Sequence, residues 1–405
     1  MLFVEITEWW DEYIIKKQLS PHFFYYPAKM MLEKGFDVII LSKGAKLSKV
    51  PFAYNYEGLR IIKFPATFRI NQSMNVDFIN HFTKYLIKYL TRMCRECTLV
   101  HMHSLLFIEN IIAFLILRKY KIPLVFTSHY IHWPELYTNI VKKLGSHLIN
   151  KCLKFGEYEL SRFHVFTRFQ ANLYARYINS ENLVIIPHGI DPNIFKNQNE
   201  DYLEKIRDKY NLKELNILCV ANFMELKGQH ILIDALKLIV EKAPHLKNRL
   251  SLVLVGRVFT KQQRDYLYEN IIQRIAKYDL YNVVKVIIDP PREDLLYLYL
   301  SSDIFALPSK IEAMPLVLLE AMAAGLPIIA TNIPPISEIA PNNEVSLLCE
   351  RKAQAFADRI LELIWNEKLR KKLGQKGRER VHREYNLNAV KNKLWNLYRE
   401  LLKLE

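Results

Sequence analysis

Two glutamates eight positions apart are the residues best placed for chemistry in this 405-residue sequence. Glu312 precedes an apolar run and Glu320 lies within it, between Pro315 and Gly325. Proline suits a first helical turn and glycine suits the left-handed residue after a helix, so the run predicts a helix. A helix that is apolar on every side is normally buried, and a carboxylate in it needs a hydrogen-bonding partner.

The N-terminus of this helix, between the two carboxylates, suits an anion. Free N–H groups and the positive end of the helix dipole attract negative charge there. Hydroxyl-binding carboxylates on either side of an anion site would suit a ligand made of sugar, phosphate and ribose. The residues therefore predict a nucleotide-sugar site, and the alternative is a buried structural glutamate paired with a neighbour.

The run Leu307–Ala340 resembles the Glu-x7-Glu signature of the retaining family 4 glycosyltransferases, which have the GT-B fold. Pro-Ser before Glu312, Glu-Ala-Met-Ala from Glu320 and the Gly-x-Pro that follows strengthen the match. The resemblance implies that Glu320 holds the ribose hydroxyls and that Glu312 contacts the transferred sugar. Backbone amides between them would help to bind the sugar and diphosphate. The implied donor-binding residues here are Met314, Pro315, Leu316 and Val317.

Further segments carry the same resemblance. Ile186–Asp191 (IPHGID) is similar to the segment that closes the family's first domain. Lys227 stands where the family has a phosphate-binding lysine, but Asn222 replaces the arginine that usually accompanies it, and an amide does not offset phosphate charge as a guanidinium does. Arg257 is a candidate for partial replacement, although exposure is the commoner fate of such a residue. The strand end at Ile288 is implied to cradle the base, mostly through backbone.

His129 ends a predicted strand at the edge where open parallel sheets bind ligands. The resemblance implies that it helps to position the transferred sugar or the acceptor, and the alternative is a structural histidine bonded to backbone. His101 and His103 end another predicted strand. Because neighbours in a strand alternate faces, we expect at most one of them to face the cleft and each to be structural.

The segment Glu8–Leu19 departs from the family, because it lacks the usual glycine-rich loop after the first strand. Trp9, Trp10 and Lys16 are candidates for an acceptor pocket there. The alternative is that the aromatic residues simply pack.

The elements that position these residues are strand-like segments that alternate with helical ones. This alternation predicts parallel sheets with helices on both faces. The length is too great for one core and fits two domains. The expected fold class is α/β, and the resemblance implies the GT-B arrangement of two Rossmann-like domains facing across a cleft. The expected divisions are 1–193 on the acceptor side, 194–385 on the donor side, and a helix in 386–405 that returns to the first domain.

The composition is that of a globular protein, with 50% hydrophobic and 24% charged residues. Five scattered cysteines argue against a disulfide framework and for a reducing interior, and we interpret the Cys94–Cys97 pair as coincidental. No signal peptide is apparent, and the longest apolar run, Leu105–Leu117, is short for a membrane span. We expect a cytoplasmic protein, with peripheral attachment to the inner face of the cell membrane as a further option.

Ten of the fifteen net positive charges fall within residues 1–185, which favours an anionic partner on that side. An amphipathic helix is predicted over Asn80–Cys97. Its basic residues could dock on anionic lipid, and a solvated face explains them equally well. They are Lys84, Lys88, Arg92 and Arg95. No nucleic-acid-binding module is recognisable, so nucleic acid is not an expected partner.

The sequence is thus interpreted as a retaining glycosyltransferase. It would move a hexosyl unit from a UDP- or GDP-sugar to a hydroxyl of a saccharide, glycolipid or lipid-linked acceptor, with Lys227, Glu312 and His129 as catalytic residues. No cofactor is expected beyond the donor substrate, and the absence of an Asp-x-Asp motif predicts metal independence. The alternatives are an epimerase or phosphorylase on the same fold, or a basic polyanion-binding protein without catalysis.

Overall fold

The computed structural model describes residues 1–7, 10, 15–16, 23–43, 50–65, 81–93, 95–103, 108–129, 161–176, 178–196 and 199–404, with only the backbone for 81–84 and 108–111. The chain divides into two compact units. The first comprises Met1–Ile15, Pro21–Pro187 and Val390–Glu405, and the second comprises Lys16–Ser20 and His188–Ala389.

Within its described residues, the first unit is built on a sheet of eight strands in the order β3-β4-β2-β1-β5-β6-β7-β8. The strands are β1 (Leu2–Thr7), β2 (Asp37–Lys43), β3 (Phe52–Tyr56), β4 (Leu59–Phe64), β5 (Cys97–His103), β6 (Leu124–Thr127), β7 (Ser161–Val165) and β8 (Leu183–Ile185). The helices of this unit are α1 (Tyr26–Glu33), α2 (His81–Met93), α3 (Ile108–Lys119) and α4 (Arg168–Tyr174).

Every strand pair of this sheet is parallel except β3–β4, which forms an antiparallel hairpin. Glu57 and Gly58 make its turn with φ of 49° and 84°. The sequence interpretation missed β3, because this edge strand is largely exposed and lacks an apolar signature. It also missed β7 and β8.

Helix α1 begins at Tyr26, so Pro27 lies in its first turn. Proline is tolerated there because the first N–H groups of a helix have no intrahelical acceptor.

The apolar face of helix α2 packs against the first unit. Leu86 and Leu90 are 1% exposed. Tyr85 and Tyr89 pack on the ring of Phe64, at centroid distances of 6.1 and 5.1 Å. The opposite, basic face is left at the surface.

Within its described residues, the second unit has a six-stranded, fully parallel sheet in the order β11-β10-β9-β12-β13-β14. The strands are β9 (Leu215–Val220), β10 (Leu250–Gly256), β11 (Val284–Ile288), β12 (Ile304–Leu307), β13 (Ile328–Thr331) and β14 (Ser346–Cys349). The helices are α5 (Glu200–Lys209), α6 (Gln229–Lys242), α7 (Lys261–Tyr266), a π-helical segment (Leu267–Ile272), α8 (Gln273–Lys277), α9 (Arg292–Leu300), α10 (Leu316–Ala324), α11 (Pro334–Ile339), α12 (Ala353–Trp365) and α13 (Glu367–Glu384). The last helix, α14, spans Leu387–Leu402, and its residues from Val390 onwards belong to the first unit.

The strands of this unit are continuous apolar runs because helices cover both faces of the sheet. All seven residues of β10 are buried. The strand order reverses between β9 and β12, which are neighbours in the sheet. This topological switch point is where open parallel sheets form ligand-binding crevices, at the carboxyl ends of the strands.

Helix α10 is the predicted apolar helix, with seven of its nine residues buried. It ends as expected at Gly325, whose φ of 81° is a left-handed conformation that glycine adopts without strain. Its start differs slightly from expectation, because Pro315 is the extended N-cap and the first helical residue is Leu316.

Among the cysteines that the structure describes, Cys219 and Cys349 are free thiols. Cys97 begins a strand instead of ending the basic helix as expected. In the described part of the chain, no helix has the length and apolar character needed to cross a bilayer.

Candidate functional site

A cavity of about 270 Å³ opens at the switch point of the second sheet. It lies against the carboxyl ends of β9, β10, β11 and β12 and the N-terminal end of α10. Its lining residues are Val220, Ala221, Asn222, Lys227, Val255, Gly256, Arg257, Asp289, Pro290, Leu295, Leu307, Glu312, Pro315, Leu316, Val317 and Glu320. The predicted residues Lys227, Glu312 and Glu320 therefore meet in one cavity.

Gly256 lets two strand ends converge on this cavity. A Cβ atom at this position would lie 2.1 Å from the carbonyl oxygen of Ala221. This distance is too short for a non-bonded contact, so no side chain fits here. Only glycine allows the ends of β9 and β10 to approach in this way.

Lys227 and Glu312 form an ion pair, with Nζ 2.6 Å from Oε1. Lys227 ends a single 3₁₀ turn after β9, and Glu312 lies in the loop between β12 and α10. The side chains are 24% and 8% exposed, so the pair lies at the cavity wall and is partly shielded from water.

Arg351 braces the two loops that carry this pair. Its Nε donates to the carbonyl oxygen of Pro308, and its Nη2 donates to that of Glu225, at 2.9 and 2.8 Å. The N–H of Lys310 also donates to the carbonyl oxygen of Leu226 at 2.7 Å. These three bonds fix the separation of Lys227 and Glu312, and sequence reasoning had not singled out Arg351.

Glu320 has the hydrogen-bonding partner that its burial requires. The hydroxyl of Tyr299 on α9 donates to its Oε2 at 2.9 Å. Burial, together with the nearby Glu320 carboxylate, raises the pKa of Tyr299 well above its ordinary value, so this phenol stays a donor. The bond directs a 5% exposed carboxylate into the cavity lining.

Arg257 and Asp289 occupy another part of the same wall. Arg257 Nε donates to Oδ1 of Asp289 at 3.0 Å, and the side chains are 18% and 27% exposed. Arg257 is therefore not simply exposed, because Asp289 holds its guanidinium at the cavity wall. Asn222, at the position of the family's arginine, is exposed and also lines the cavity.

The first turn of α10 forms another part of the cavity wall. Pro315, Leu316 and Val317, which are three of the predicted donor-binding residues, line the cavity. Among the described residues, no side chain caps the N-terminus of this helix. Its amides and dipole thus face the same space as Lys227 and Arg257 and make the wall suitable for an anion.

Two predicted donor-binding residues are not part of the described cavity lining. Met314 is 6% exposed, and its Sδ lies 3.2 Å from the backbone nitrogen of His188. Ile288 is 53% exposed, and the next residues, Asp289 and Pro290, line the cavity in its place. The alternation of strand faces explains why an adjacent residue faces the site.

The predicted acceptor-side residues have different outcomes. Trp9 lies outside the described residues. Trp10 is only 2% exposed and packs against Phe24, Tyr25 and Tyr56, so the packing alternative is the correct one for this residue. Lys16 is exposed.

His129 lies in the first unit, directly after β6, and is half-buried. Its Nε2 is 2.9 Å from Nδ1 of His103. The expectation that His101 and His103 face opposite ways is wrong, since residues two apart in a strand share a face. Both are buried, with ring centroids 4.2 Å apart.

Two protein-family models match the chain, one over most of the first unit and one over most of the second. Residues 23–194 match the family described as Glycosyltransferase Family 4, and residues 203–380 match Glycosyl transferases group 1. The chain is therefore a glycosyltransferase of the family 4 type, as the motifs indicated.

Curated relatives are distant. D-inositol 3-phosphate glycosyltransferase of Corynebacterium aurimucosum is 23% identical over 77% of this chain and 74% of its own length. An uncharacterized glycosyltransferase of Haemophilus influenzae is 25% identical over 84% of both chains. The capsular polysaccharide biosynthesis glycosyltransferase CapM of Staphylococcus aureus is 28% identical over 49% of this chain and 50% of its own length.

Solved structures establish the fold. A glycosyltransferase from Rickettsia africae aligns with a TM-score of 0.75 at 20% identity, covering 100% of this chain and 99% of its own. Anabaena HepE, in a complex with UDP-glucose, aligns with a TM-score of 0.75 at 16% identity, covering 99% and 100%. The predicted α/β class with two parallel-sheet domains is confirmed, and the fold is that of GT-B glycosyltransferases.

Proposed function

We propose that the protein is a retaining hexosyltransferase that uses a UDP- or GDP-sugar as donor. One observation carries this proposal: Lys227, Glu312, Glu320 and the N-terminus of α10 line a single cavity at the switch point of a doubly wound sheet. That combination offers a cation, hydroxyl-binding carboxylates and helix amides within one ligand-sized space. The HepE complex supports the donor class, because its bound ligand is UDP-glucose.

The cations and the helix would hold the diphosphate. Lys227 and Arg257 lie on the cavity wall, and the α10 amides provide further donors. Glu320, oriented by Tyr299, would accept hydrogen bonds from the two ribose hydroxyls. Asp289 and Pro290, at the end of β11, would border the base.

Catalysis would rest on position and charge. The acceptor hydroxyl oxygen bonds to the anomeric carbon as the bond from that carbon to the phosphate oxygen breaks. The leaving diphosphate keeps the bonding electrons and receives the hydroxyl proton. Lys227 and the α10 amides would stabilise its negative charge, and Glu312 would hold the sugar.

The acceptor would be a saccharide, glycolipid or lipid-linked saccharide. CapM, whose name assigns it to capsular polysaccharide biosynthesis, supports a saccharide product. The exposed Lys88, Arg92 and Arg95 would place a lipid-linked acceptor near the first unit by docking on anionic headgroups.

The experiment that tests the proposal is incubation of the purified chain with a panel of UDP- and GDP-sugars. We expect slow donor hydrolysis with one or a few of them, and thermal stabilisation by the same nucleotides. Stabilisation by oligonucleotides with a steep salt dependence, and by no nucleotide sugar, would instead favour a polyanion-binding protein.

Two further readouts separate the remaining alternatives. Interconversion of nucleotide sugars without transfer would identify an epimerase, and phosphate-dependent cleavage of a glycan would identify a phosphorylase. We expect transfer to survive EDTA, and a complete loss that magnesium restores would contradict metal independence.

A further inference from the structure

The Lys227 loop, residues 221–228, joins β9 to α6 and carries two residues of the cavity wall. Asn222 lies near its start and Lys227 lies near its end. Gly228 follows with a φ of 72°, and Gln229 is the first residue of α6. The way in which this loop is held therefore decides where the ammonium group of Lys227 lies.

The side chain of Gln229 ties the start of the loop to its end. Its amide nitrogen Nε2 donates to the carbonyl oxygens of Ala221 and Asn222, at 3.1 and 3.0 Å. Gln229 is 1% exposed, so water does not compete for these bonds. A side chain at the end of the loop thus fixes the two peptide groups at its start.

Other elements hold the middle of the loop. Arg351 bonds to the carbonyl oxygen of Glu225, and the backbone N–H of Lys310 donates to that of Leu226. Phe223 is fully buried and anchors the loop by its ring. These contacts fix the middle of the loop, and Gln229 fixes its two ends.

Two carbonyl acceptors settle the orientation of the Gln229 amide. An amide oxygen in place of Nε2 would face two carbonyl oxygens with no proton between them. Oε1 therefore points the other way, towards the hydroxyl of Tyr266 at 3.2 Å. Because Oε1 can only accept, Tyr266 donates its single hydroxyl proton to Gln229.

The proton of Tyr266 in turn decides the state of His230. The phenol oxygen lies 2.9 Å from Nδ1 of His230 and 3.4 Å from its backbone nitrogen. Since its own proton points to Gln229, the phenol accepts from both, and Nδ1 of His230 carries a proton. The hydroxyl then donates one hydrogen bond and accepts two, which is its full capacity.

The surroundings keep both groups neutral. Burial raises the pKa of Tyr266, so the phenol keeps its proton. Burial lowers the pKa of His230, and the nearby charges of Arg274 and Arg351 lower it further. A neutral imidazole has one N–H group, and the contact with Tyr266 places it on Nδ1.

Tyr266 lies where its helix changes character. It is the last residue of α7, and the π-helical segment begins directly after it. The start of α7 is fixed by a capping box of Thr260 and Gln263. Segments of π-helix are rare and occur frequently at functional sites. The hydroxyl thus reaches Gln229 from an element that is anchored at its start and changes register at this residue.

We propose that Gln229 is a positioning residue for Lys227, and that Tyr266 and His230 fix the orientation of its amide. This deepens the proposed function and rests on it, because the diphosphate contact of Lys227 belongs to that proposal. None of the three side chains belongs to the described cavity lining, so they act on the donor only through the loop. Without Gln229, the carbonyl oxygens of Ala221 and Asn222 lose their donor and the loop relaxes.

The orientation is tested by ¹⁵N NMR of the full-length chain labelled in its 12 histidines, with His230 assigned from the His230→Asn spectrum. At about pH 8, above the ordinary pKa of histidine, we expect a neutral His230 with its proton on Nδ1. Tyr266→Phe removes the acceptor, so His230 should no longer be held in this form. Tyr268→Phe, at an exposed tyrosine two residues further on, should leave it unchanged. An Nε2–H tautomer in the parent would overturn the proposal, because Tyr266 would then donate to His230 and not to Gln229.

The action on Lys227 is tested by a double-mutant cycle, with UDP and GDP binding measured by isothermal titration. Gln229→Met keeps the length of the side chain and removes both donors. We expect it to weaken binding about tenfold in the parent and less than about twofold in a chain that already carries Lys227→Met. Gln262→Met, at an exposed position, is the control. Equal losses in the two backgrounds would refute the proposal, since a merely structural role acts whether or not Lys227 is present.

Tyr266→Phe provides a milder variant for the same cycle. It leaves Gln229 in place and removes one hydrogen bond, so we expect about a threefold loss that also depends on Lys227. A loss that persists in the Lys227→Met chain would contradict the proposal. A parent chain with His230 in the Nδ1–H form that binds neither nucleotide would support the network and contradict the proposed function.

Discussion

Lys227 and Glu312 pair at 2.6 Å across the wall of the cavity, on two loops that Arg351 ties together. A diphosphate that binds Lys227 must compete with this carboxylate for the ammonium group. The pair therefore keeps the lysine in place before the donor binds, and the loss of the pair would leave the ammonium group free for the diphosphate.

We expect Glu312→Gln to tighten UDP or GDP binding by about fivefold, equivalent to about 1 kcal/mol for a partly exposed ion pair. The same change should lower kcat by about 100-fold, because the sugar contact is lost. Isothermal titration and initial rates measure the two effects. Lys237, in an exposed pair with Glu241, provides the control Lys237→Gln. Weaker nucleotide binding by Glu312→Gln would contradict the competition.

Glu320 is the residue assigned to the ribose. We expect Glu320→Ala to remove the thermal stabilisation that UDP or GDP gives to the parent, and Tyr299→Phe to reduce it by freeing the carboxylate. Differential scanning fluorimetry measures both, with Glu241→Ala as an exposed control. Equal stabilisation of Glu320→Ala and the parent would refute this assignment.

Arg257 is the second cation of the cavity wall. We expect Arg257→Ala to weaken nucleoside diphosphate binding by about tenfold, in line with one charged hydrogen bond, and to leave nucleoside binding unchanged. Adding Asn222→Arg should restore much of the loss. Arg249→Ala, in an exposed pair with Glu214, is the control. Equal losses for the nucleoside and the diphosphate would place Arg257 at the base or ribose.

Asp294 supports the fold of the second unit. It is 3% exposed and accepts hydrogen bonds from Tyr202, Lys209 and Tyr210, which link α5 and its C-terminal residue to α9. Burial alone would raise the pKa of this carboxyl, but the three donors outweigh it and the pKa is lowered. Its stabilisation is therefore complete above the ordinary carboxyl pKa and is lost as pH falls through the lowered value.

We expect Asp294→Asn to destabilise this unit by about 2 to 3 kcal/mol, since charged hydrogen bonds contribute about 1.5 to 3 kcal/mol. The difference from the parent should shrink below about pH 4. Urea denaturation at several pH values measures it, and exposed Asp265→Asn is the control. A difference that is independent of pH would show that the carboxylate charge is not responsible.

The basic face of α2 is the surface assigned to lipid. We expect Lys88→Glu with Arg92→Glu to weaken binding to phosphatidylglycerol vesicles by about 10- to 100-fold, since each basic residue near an anionic membrane contributes about 1 kcal/mol. Vesicle sedimentation measures it. Lys372→Glu with Lys376→Glu makes the same charge change on α13. If both double substitutions weakened vesicle binding equally, binding would depend on net charge and not on the basic face of α2.

The local pattern of the chain determined the class of fold and several residues of the candidate site. The apolar helix between Pro315 and Gly325 follows from residue type and spacing, because burial leaves a signature in the sequence. The eight-residue spacing likewise brought Glu312 and Glu320 to the same cavity.

Only the tertiary structure decided which residues meet from distant parts of the chain. Asp289 holds Arg257 and Tyr299 orients Glu320 because separate strands and helices converge at a switch point, which no local pattern encodes. The sequence left open whether Trp10 packs or lines a pocket, because an aromatic residue in a loop has the same local pattern in both cases, and its burial shows that it packs. His103 and His129 likewise meet only in the folded chain, because they come from the ends of two separate strands, β5 and β6.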